Sequence, residues 1–375
     1  MITALLWLSL LPLSSFASPD ACNQELLEEV DFPGSDIAVL QSPDVEHCQR
    51  LCTQHPSCLF FTFLGSNWKS DDRTFRCYLK STPSGKPTSQ TPLVGVTSGF
   101  SLKSFSCKPD PEPCLSQVYQ NVDFTGADYR FLFTNDYEEC QRVCTHDPAC
   151  QFFTFLGGNF ITQENRYRCH LKYSWNIPRV PIIERKAGVT SGFSQNLLLN
   201  QHFKEACQVT FFADKDIPGH DLERVKAVSV EHCRVMCSAH PQCSYFSFLR
   251  DGFDCYLKNN QLSLVTEAKE GVTSGLPARF CQLDSDWLSK PYEGIDFRGS
   301  DIEFELMDDA QPCQTACTAS PHCQFYTYVH SNFNVPTYRR RCYLKRVITL
   351  PAPPRVAKLT EAVSGFSKRN CRTTV

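Results

Sequence analysis

The chain has 375 residues, 42% hydrophobic and 21% charged, with a formal net charge of −3. This is a globular composition with room for several small domains, and the near-neutral balance gives no global field to draw the chain onto nucleic acid or an anionic bilayer. Twenty-two cysteines point to an oxidising compartment and a disulfide framework.

Residues 1–17, MITALLWLSLLPLSSFA, form an apolar run ending in small residues, with Ser15 and Ala17 placed at −3 and −1 of a cleavage site. This reads as a signal peptide, too short to span a bilayer. No later stretch is long and apolar enough for a membrane span, so the expected location is secreted and extracellular.

Ser42-Pro43-Asp44 reads as a helix start, with Ser42 as N-cap, Pro43 at the first helical position and Asp44 in the first turn. Pro56 marks the helix end, and Cys48 and Cys52, four apart, share one face. The aromatic LFFTF that follows predicts a buried strand; RCYLK (76–80) and GVTSGFSLKS (95–104) predict two more. One helix packed on an antiparallel sheet, an α+β unit, is the expected fold.

The unit repeats. HCQRLCTQHPSCLFFTF at 47–63 returns as CQRVCTHDPACQFFTF from Cys140, CRVMCSAHPQCSYFSF from Cys233 and CQTACTASPHCQFYTY from Cys313, with C-x3-C-x5-C spacing throughout. Upstream stand DFPGSDI, DFTGADY, DIPGHDL and DFRGSDI; downstream stand CYLK or CHLK and then GVTSGF, GVTSGF, GVTSGL and AVSGF. A period of roughly 80 to 93 residues fits tandem small domains. The expected modules are 22–107, 114–200, 207–281 and 287–371.

A Cys/His cluster can ligate zinc, but His47, His55, His146, His240 and His322 shift register between repeats, which a ligand cannot do. The triplet also lacks the C-x-x-C of a redox centre. Neither metal nor cofactor is expected, and the cysteines read as staples. Six in the first module (Cys22, Cys48, Cys52, Cys58, Cys77, Cys107) leave many connectivities open on sequence alone.

The C-x3-C-x5-C triplet, the FFTF strand, CYLK and the SGFS close together resemble the apple domain of the PAN superfamily, over essentially all of the chain after the leader. The tandem of four is similar to the non-catalytic heavy chains of plasma kallikrein and coagulation factor XI, and among protease-free apple proteins to fish mannose-binding lectins related to plasma kallikrein. The resemblance implies bridges from first to sixth, second to fifth and third to fourth cysteine. On this chain these are Cys22–Cys107, Cys48–Cys77 and Cys52–Cys58, then Cys140–Cys169 and Cys144–Cys150. Modules three and four add Cys207–Cys281, Cys233–Cys255, Cys237–Cys243, Cys313–Cys342 and Cys317–Cys323. Two positions depart from the pattern: Asn200 stands where module two needs its sixth cysteine, and Trp287 where module four needs its first. Cys114 and Cys371 are left without in-module partners, to bond each other or to crosslink two chains as a disulfide-linked oligomer.

No I-V-G-G, A-A-H-C or G-D-S-G-G occurs, so a trypsin-like triad has no place and no enzyme is expected. The absence of N-x-[ST] predicts no N-glycans. Binding is the remaining expectation, on loops. Three repeats place an amide beside an aromatic nine residues after the third triplet cysteine: Asn67-Trp68, Asn159-Phe160 and Asn332-Phe333. Ring plus amide suits a pyranose, while the plainer reading has the ring pinning its own loop and the Asn capping a turn. The resemblance implies a mannose-type glycan or glycoprotein ligand and a part in innate defence, or else a kininogen-type protein partner.

Overall fold

The computed structural model describes residues 26–102, 115–175, 183–194, 206–260, 263–279, 286–348 and 355–366. The expected signal peptide lies outside them, as do Cys22, Cys107, Cys114, Asn200, Cys281 and Cys371. Among the described residues no helix is long and apolar enough to cross a membrane, and no group of three or more His, Cys, Asp or Glu is placed to hold a metal.

Module one runs β1 (Leu26–Asp31), β2 (Asp36–Gln41), α1 (Val45–Gln54), β3 (Phe60–Leu64), β4 (Arg76–Lys80) and β5 (Thr91–Phe100). The strands form an antiparallel sheet in the order β1-β5-β3-β4-β2. The sequence reading found β3, β4 and β5 but not β1 and β2, the strands at opposite edges of the sheet, which the DFPGSD motif connects. It also set the helix start two residues early. Asp44, not Ser42, is the N-cap: its carboxylate accepts the His47 N–H at 2.6 Å. The Ser42 hydroxyl instead donates to the Asp44 carbonyl and lies 2.9 Å from His47 Nδ1.

The FFTFL strand is buried on both faces. Phe61 and Phe63 pack with Cys48, Cys52, Cys58 and Cys77 under the helix, while Phe60 packs on the other face against Phe32 and Phe100, 5.7 and 6.4 Å away. A buried threonine needs partners; Thr62 lies 2.8 Å from the Ser98 hydroxyl and accepts the Phe32 N–H. Ser247 with Ser274, and Thr327 with Ser191, repeat the arrangement.

The CYLK lysine is a clamp. Lys80 Nζ, almost fully buried, donates to the Gly34 carbonyl and pairs with Asp36, which joins β4 to the DFPGSD turn. Lys172–Asp128, Lys258–Asp221 and Lys345–Asp301 do the same in the other modules.

Eight disulfides fall among the described residues. Cys48–Cys77, Cys140–Cys169, Cys233–Cys255 and Cys313–Cys342 tie each helix to the CYLK strand, and Cys52–Cys58, Cys144–Cys150, Cys237–Cys243 and Cys317–Cys323 tie it to the entry of the FFTF strand. In the chain-entropy model each stabilises by roughly 3 kcal/mol.

Module three repeats module one: β11 (Phe211–Asp216), β12 (Asp221–Lys226), α3 (Val230–Ala239), β13 (Tyr245–Leu249), β14 (Asp254–Lys258) and β15 (Glu267–Gly275), in the order β11-β15-β13-β14-β12. Modules two and four depart. The second segment supplies β6 (Val118–Thr125), β7 (Asp128–Phe133), α2 (Tyr137–His146), β8 (Phe152–Leu156), β9 (Arg168–Lys172) and β10 (Ile183–Phe193). The fourth supplies a short α4 (Asp286–Ser289), then β16 (Tyr292–Phe297), β17 (Asp301–Leu306), α5 (Ala310–Ala319), β18 (Phe325–Val329), β19 (Arg341–Lys345) and β20 (Arg355–Phe366). Their sheets are β6-β20-β8-β9-β7 and β16-β10-β18-β19-β17.

The closing strands are therefore exchanged. Segments 114–200 and 287–371 repeat in sequence, and each sheet takes its closing strand from the other segment. Each exchanged strand occupies the slot that β5 fills in module one. Gln141 Nε2 donates to the Phe366 carbonyl as Gln49 Nε2 donates to that of Phe100, and Ser191 pairs with Thr327 across the chain. A contact with the neighbouring module lies just after β9. There Tyr173 and Trp175 pack on His240 of module three, 5.9 and 5.6 Å between ring centres, and Trp175 Nε1 donates to Glu223. Residues 173–175 therefore contact module three directly after β9.

The modules touch in a closed cycle. Modules one and two share a core in which His47 stacks on Phe366 at 5.2 Å and the Tyr119 hydroxyl donates to Asp44. Modules three and four share the equivalent one, where His232 stacks on Trp287 at 5.2 Å and meets Phe193 edge-on. Gln242 Nε2 donates to the Tyr129 carbonyl between modules three and two, and Ser57 Oγ donates to the Asp301 carbonyl between modules one and four.

Candidate binding site

The loop between the FFTF and CYLK strands opens with one shared turn. The aromatic N–H reaches back three residues: Trp68 to the Gly65 carbonyl, Phe160 to Gly157 and Phe333 to His330. That turn exposes Asn67, Asn159 and Asn332 and rotates the following ring inward. Trp68 is 6% exposed against Leu64 and Val96, and Phe160 is 8% exposed against Leu156 and Ala362.

The basic end of the loop fastens it further. Arg166 Nε donates to the Phe160 carbonyl at 2.8 Å and Arg339 Nε to that of Phe333 at 2.6 Å. In module one Asp71 accepts from Trp68 Nε1 and from Arg73. Those bonds, the Arg73 one foremost, hold its carboxyl well below the usual carboxylate range. For Trp68 and Phe160 the plainer expectation describes the geometry: the rings pin their own loops and offer no face to a ligand.

Phe333 differs. It is half-buried, with Lys186 Nζ 5.7 Å from its ring centre, and it lines a cleft of about 430 Å³ in module four. The volume falls within the roughly 300–1,000 Å³ of small-molecule sites. Three elements build the walls: the exchanged strand β10 gives Lys186, the loop gives Phe333 and Tyr338, and the DFRGSD turn gives Arg298. Tyr343 of β19 also lines it. Lys186 pairs with buried Asp296 at 2.8 Å, and Lys345 with Asp301, so two carboxylates and two ammoniums are held in fixed positions along one wall. Arg341 stacks over Tyr338 and Phe304, 5.3 and 4.3 Å from the ring centres.

Such a cavity offers ring faces beside fixed donors and acceptors, which suits polyhydroxylated ligands; nothing in it resembles a nucleophile–base pair. The six candidate residues are thus spread over three modules, and only Phe333 lines the cleft. Sequence reasoning missed Lys186, Arg298, Tyr338 and Tyr343. Lys186 and Asp296 are 110 residues apart and meet only through the strand exchange, whereas Tyr338 lies in the same loop as Phe333 and Tyr343 in the CYLK strand.

A second surface lies on the edge strands of modules two and four. Phe131 and Phe133 are exposed beneath Arg168, and Phe304 and Leu306 are exposed beside Arg341.

Comparison with known proteins places these observations. A PAN domain model matches residues 22–105, 207–281 and 289–371, and a second PAN domain model matches 122–172. Coagulation factor XI of Bos taurus is 30% identical over 367 residues, 94% of this chain and 57% of that protein. Micronemal protein 4 of Toxoplasma gondii is 27% identical over 320 residues, 81% of this chain and 48% of that protein. The chain spans about half the length of these curated relatives. A solution structure of the two N-terminal apple domains of Toxoplasma gondii microneme protein 4 covers 46% of this chain and 98% of its own, at 19% identity and a TM-score of 0.18, an overlap too low to carry any argument.

Proposed function

This chain belongs to the PAN domain family, and from that premise we propose that it is a secreted, non-catalytic binding protein: a multivalent, mannose-type lectin of innate defence. The observation that carries the reading is the module-four cleft, where Phe333, Tyr338 and Tyr343 stand among Lys186, Arg298 and Asp301. Rings cover the C–H face of a pyranose while amides, ammoniums and carboxylates bond its hydroxyls. A single site of this kind binds weakly, and avidity comes from several sites or several molecules on one glycan surface.

The test is retention on mannose-agarose with elution by free mannose, for the native chain and for Phe333→Ala and Tyr338→Ala. Retention lost in both variants, with melting temperature kept, supports the reading. Retention equal to the native chain removes the cleft from it, and no retention of the native chain removes mannose.

One observation favours a second reading. The arginine-stacked aromatics Phe131, Phe133 and Phe304 are exposed on edge strands, and aromatic and arginine side chains are what protein interfaces concentrate. A kininogen-type protein partner would dock there, and Phe131→Ser with Phe304→Ser would abolish its capture without changing mannose retention.

A further inference from the structure

The strand exchange and the two cysteines without in-module partners fall in the same pair of modules. In module three, Phe211 of β11 pairs with Gly275 of β15. Cys207 stands four residues before Phe211, and Cys281 six after Gly275; Cys207 is disulfide-bonded. In the sheet shared by modules two and four, Val118 of β6 pairs with Gly365 of β20. Cys114 stands four residues before Val118, and Cys371 six after Gly365. The offsets are the same, on the same two strand slots, with the same antiparallel sense.

The other hybrid sheet is consistent with this. Tyr292 of β16 pairs with Ser191 of β10, and the position equivalent to Cys114 is Trp287, buried against His232 and Phe193. There an aromatic ring fills the place of the bridge, and residues 195–200 after β10 contain no cysteine. The cysteines missing from segments two and four are missing from one hybrid module, and the two that remain belong to the other.

We propose that Cys114 and Cys371 form an intrachain disulfide joining the first strand of module two to the last strand of the chain, sealing the strand exchange covalently. The two thiols lose two protons and two electrons as the S–S bond forms. The electrons reduce the disulfide of an oxidised thiol–disulfide exchange partner of the secretory pathway, which leaves as the dithiol. The bond encloses the second, third and fourth segments, residues 115–370, in one covalent loop, so the exchanged strand cannot leave to serve a second molecule, as it would in a domain-swapped dimer.

The test blocks free thiols in the secreted protein, digests it unreduced with trypsin and a protease cutting before Asp110 to separate Cys107 from Cys114, and reads the linked peptides by mass. The expected result is a Cys114–Cys371 pair in the monomer band, with neither cysteine alkylated. Alkylation of either residue, a bond from either to another cysteine, or the pair appearing only at dimer mass would overturn the proposal. Single variants give a second readout. Cys114→Ser should make Cys371 alkylatable, and Cys371→Ser should do so for Cys114, each lowering the melting temperature by roughly 10 °C. A thiol that stays unreactive in its partner's variant rejects the pairing.

Discussion

Modules one and three close their sheets with their own strands, whereas modules two and four close theirs with each other's. The contrast is instructive because the closing strands themselves are alike. GVTSGF at 188–193 and AVSGF at 362–366 end in the same Ser-Gly-Phe, and Phe193 and Phe366 are both buried, so the slots distinguish them only weakly. What differs is the approach: where the second segment leaves β9, Tyr173 and Trp175 are anchored on module three.

The largest effect should come from removing residues 349–375. The deletion takes away β20, whose neighbours are β6 and β8. Hydrogen exchange should accelerate to near-unprotected rates in Phe152–Leu156 and stay slow in Phe325–Val329. The opposite pattern would return the closing strand to its own module and end the contrast.

Trp68→Ala and Phe160→Ala come next, each at about 3–5 kcal/mol of lost stability from truncating a buried ring. Because Phe160 packs on Ala362 of the exchanged strand, its variant should also speed exchange in β20, while Trp68→Ala leaves β20 untouched. Chemical denaturation with exchange mass spectrometry separates the two.

The lysine clamp should be blind to the exchange. Lys80→Ala and Lys172→Ala each leave a glycine carbonyl and an aspartate without their ammonium partner, at about 2 kcal/mol apiece. Equal losses in urea melts are expected; a much larger loss for Lys172→Ala would tie the clamp to the swapped strand.

The smallest effect distinguishes the two shared cores. Burial pushes His232 down to about 3, and its Nε2 has no hydrogen-bond partner among the described residues. The unfolded imidazole titrates near 6.5, so on acidification the unfolded chain takes up this proton first. Stability from this group is fully present above about pH 6.5 and is lost progressively between 6.5 and 3, on the order of 2 kcal/mol by pH 5. Denaturant melts at pH 7 and 5 should show this loss for the native chain and a smaller one for His232→Phe. An unchanged pH dependence in the variant would reject the assignment.

Much of the module was legible in the sequence because its signals are local. The helix, the FFTF strand and CYLK follow from periodicity and burial, and the resemblance supplied the cysteine pairing pattern. The edge strands β1 and β2 were not, since LLEEVD and DIAVLQ are short and half-exposed and carry little alternation. The ring positions of Trp68 and Phe160 were not, because an aromatic next to Asn reads the same whether it faces water or core; the turn back to Gly65 or Gly157 decides. The exchange was hidden for a deeper reason: two near-identical strands give one sequence pattern for two topologies, and Lys186 reaches its cleft only in one of them.

Exchange of β20 also sets a timetable for synthesis. Val118 must wait for Gly365, so the half-built sheet holding Phe152 and Phe153 stands open while roughly 200 further residues emerge, tens of seconds at ordinary translation speeds. Module one can finish at once and can shelter that sheet through the face that carries His47 and Leu51. Nascent chains stalled before β20 would bind chaperones far more avidly than chains stalled just after it.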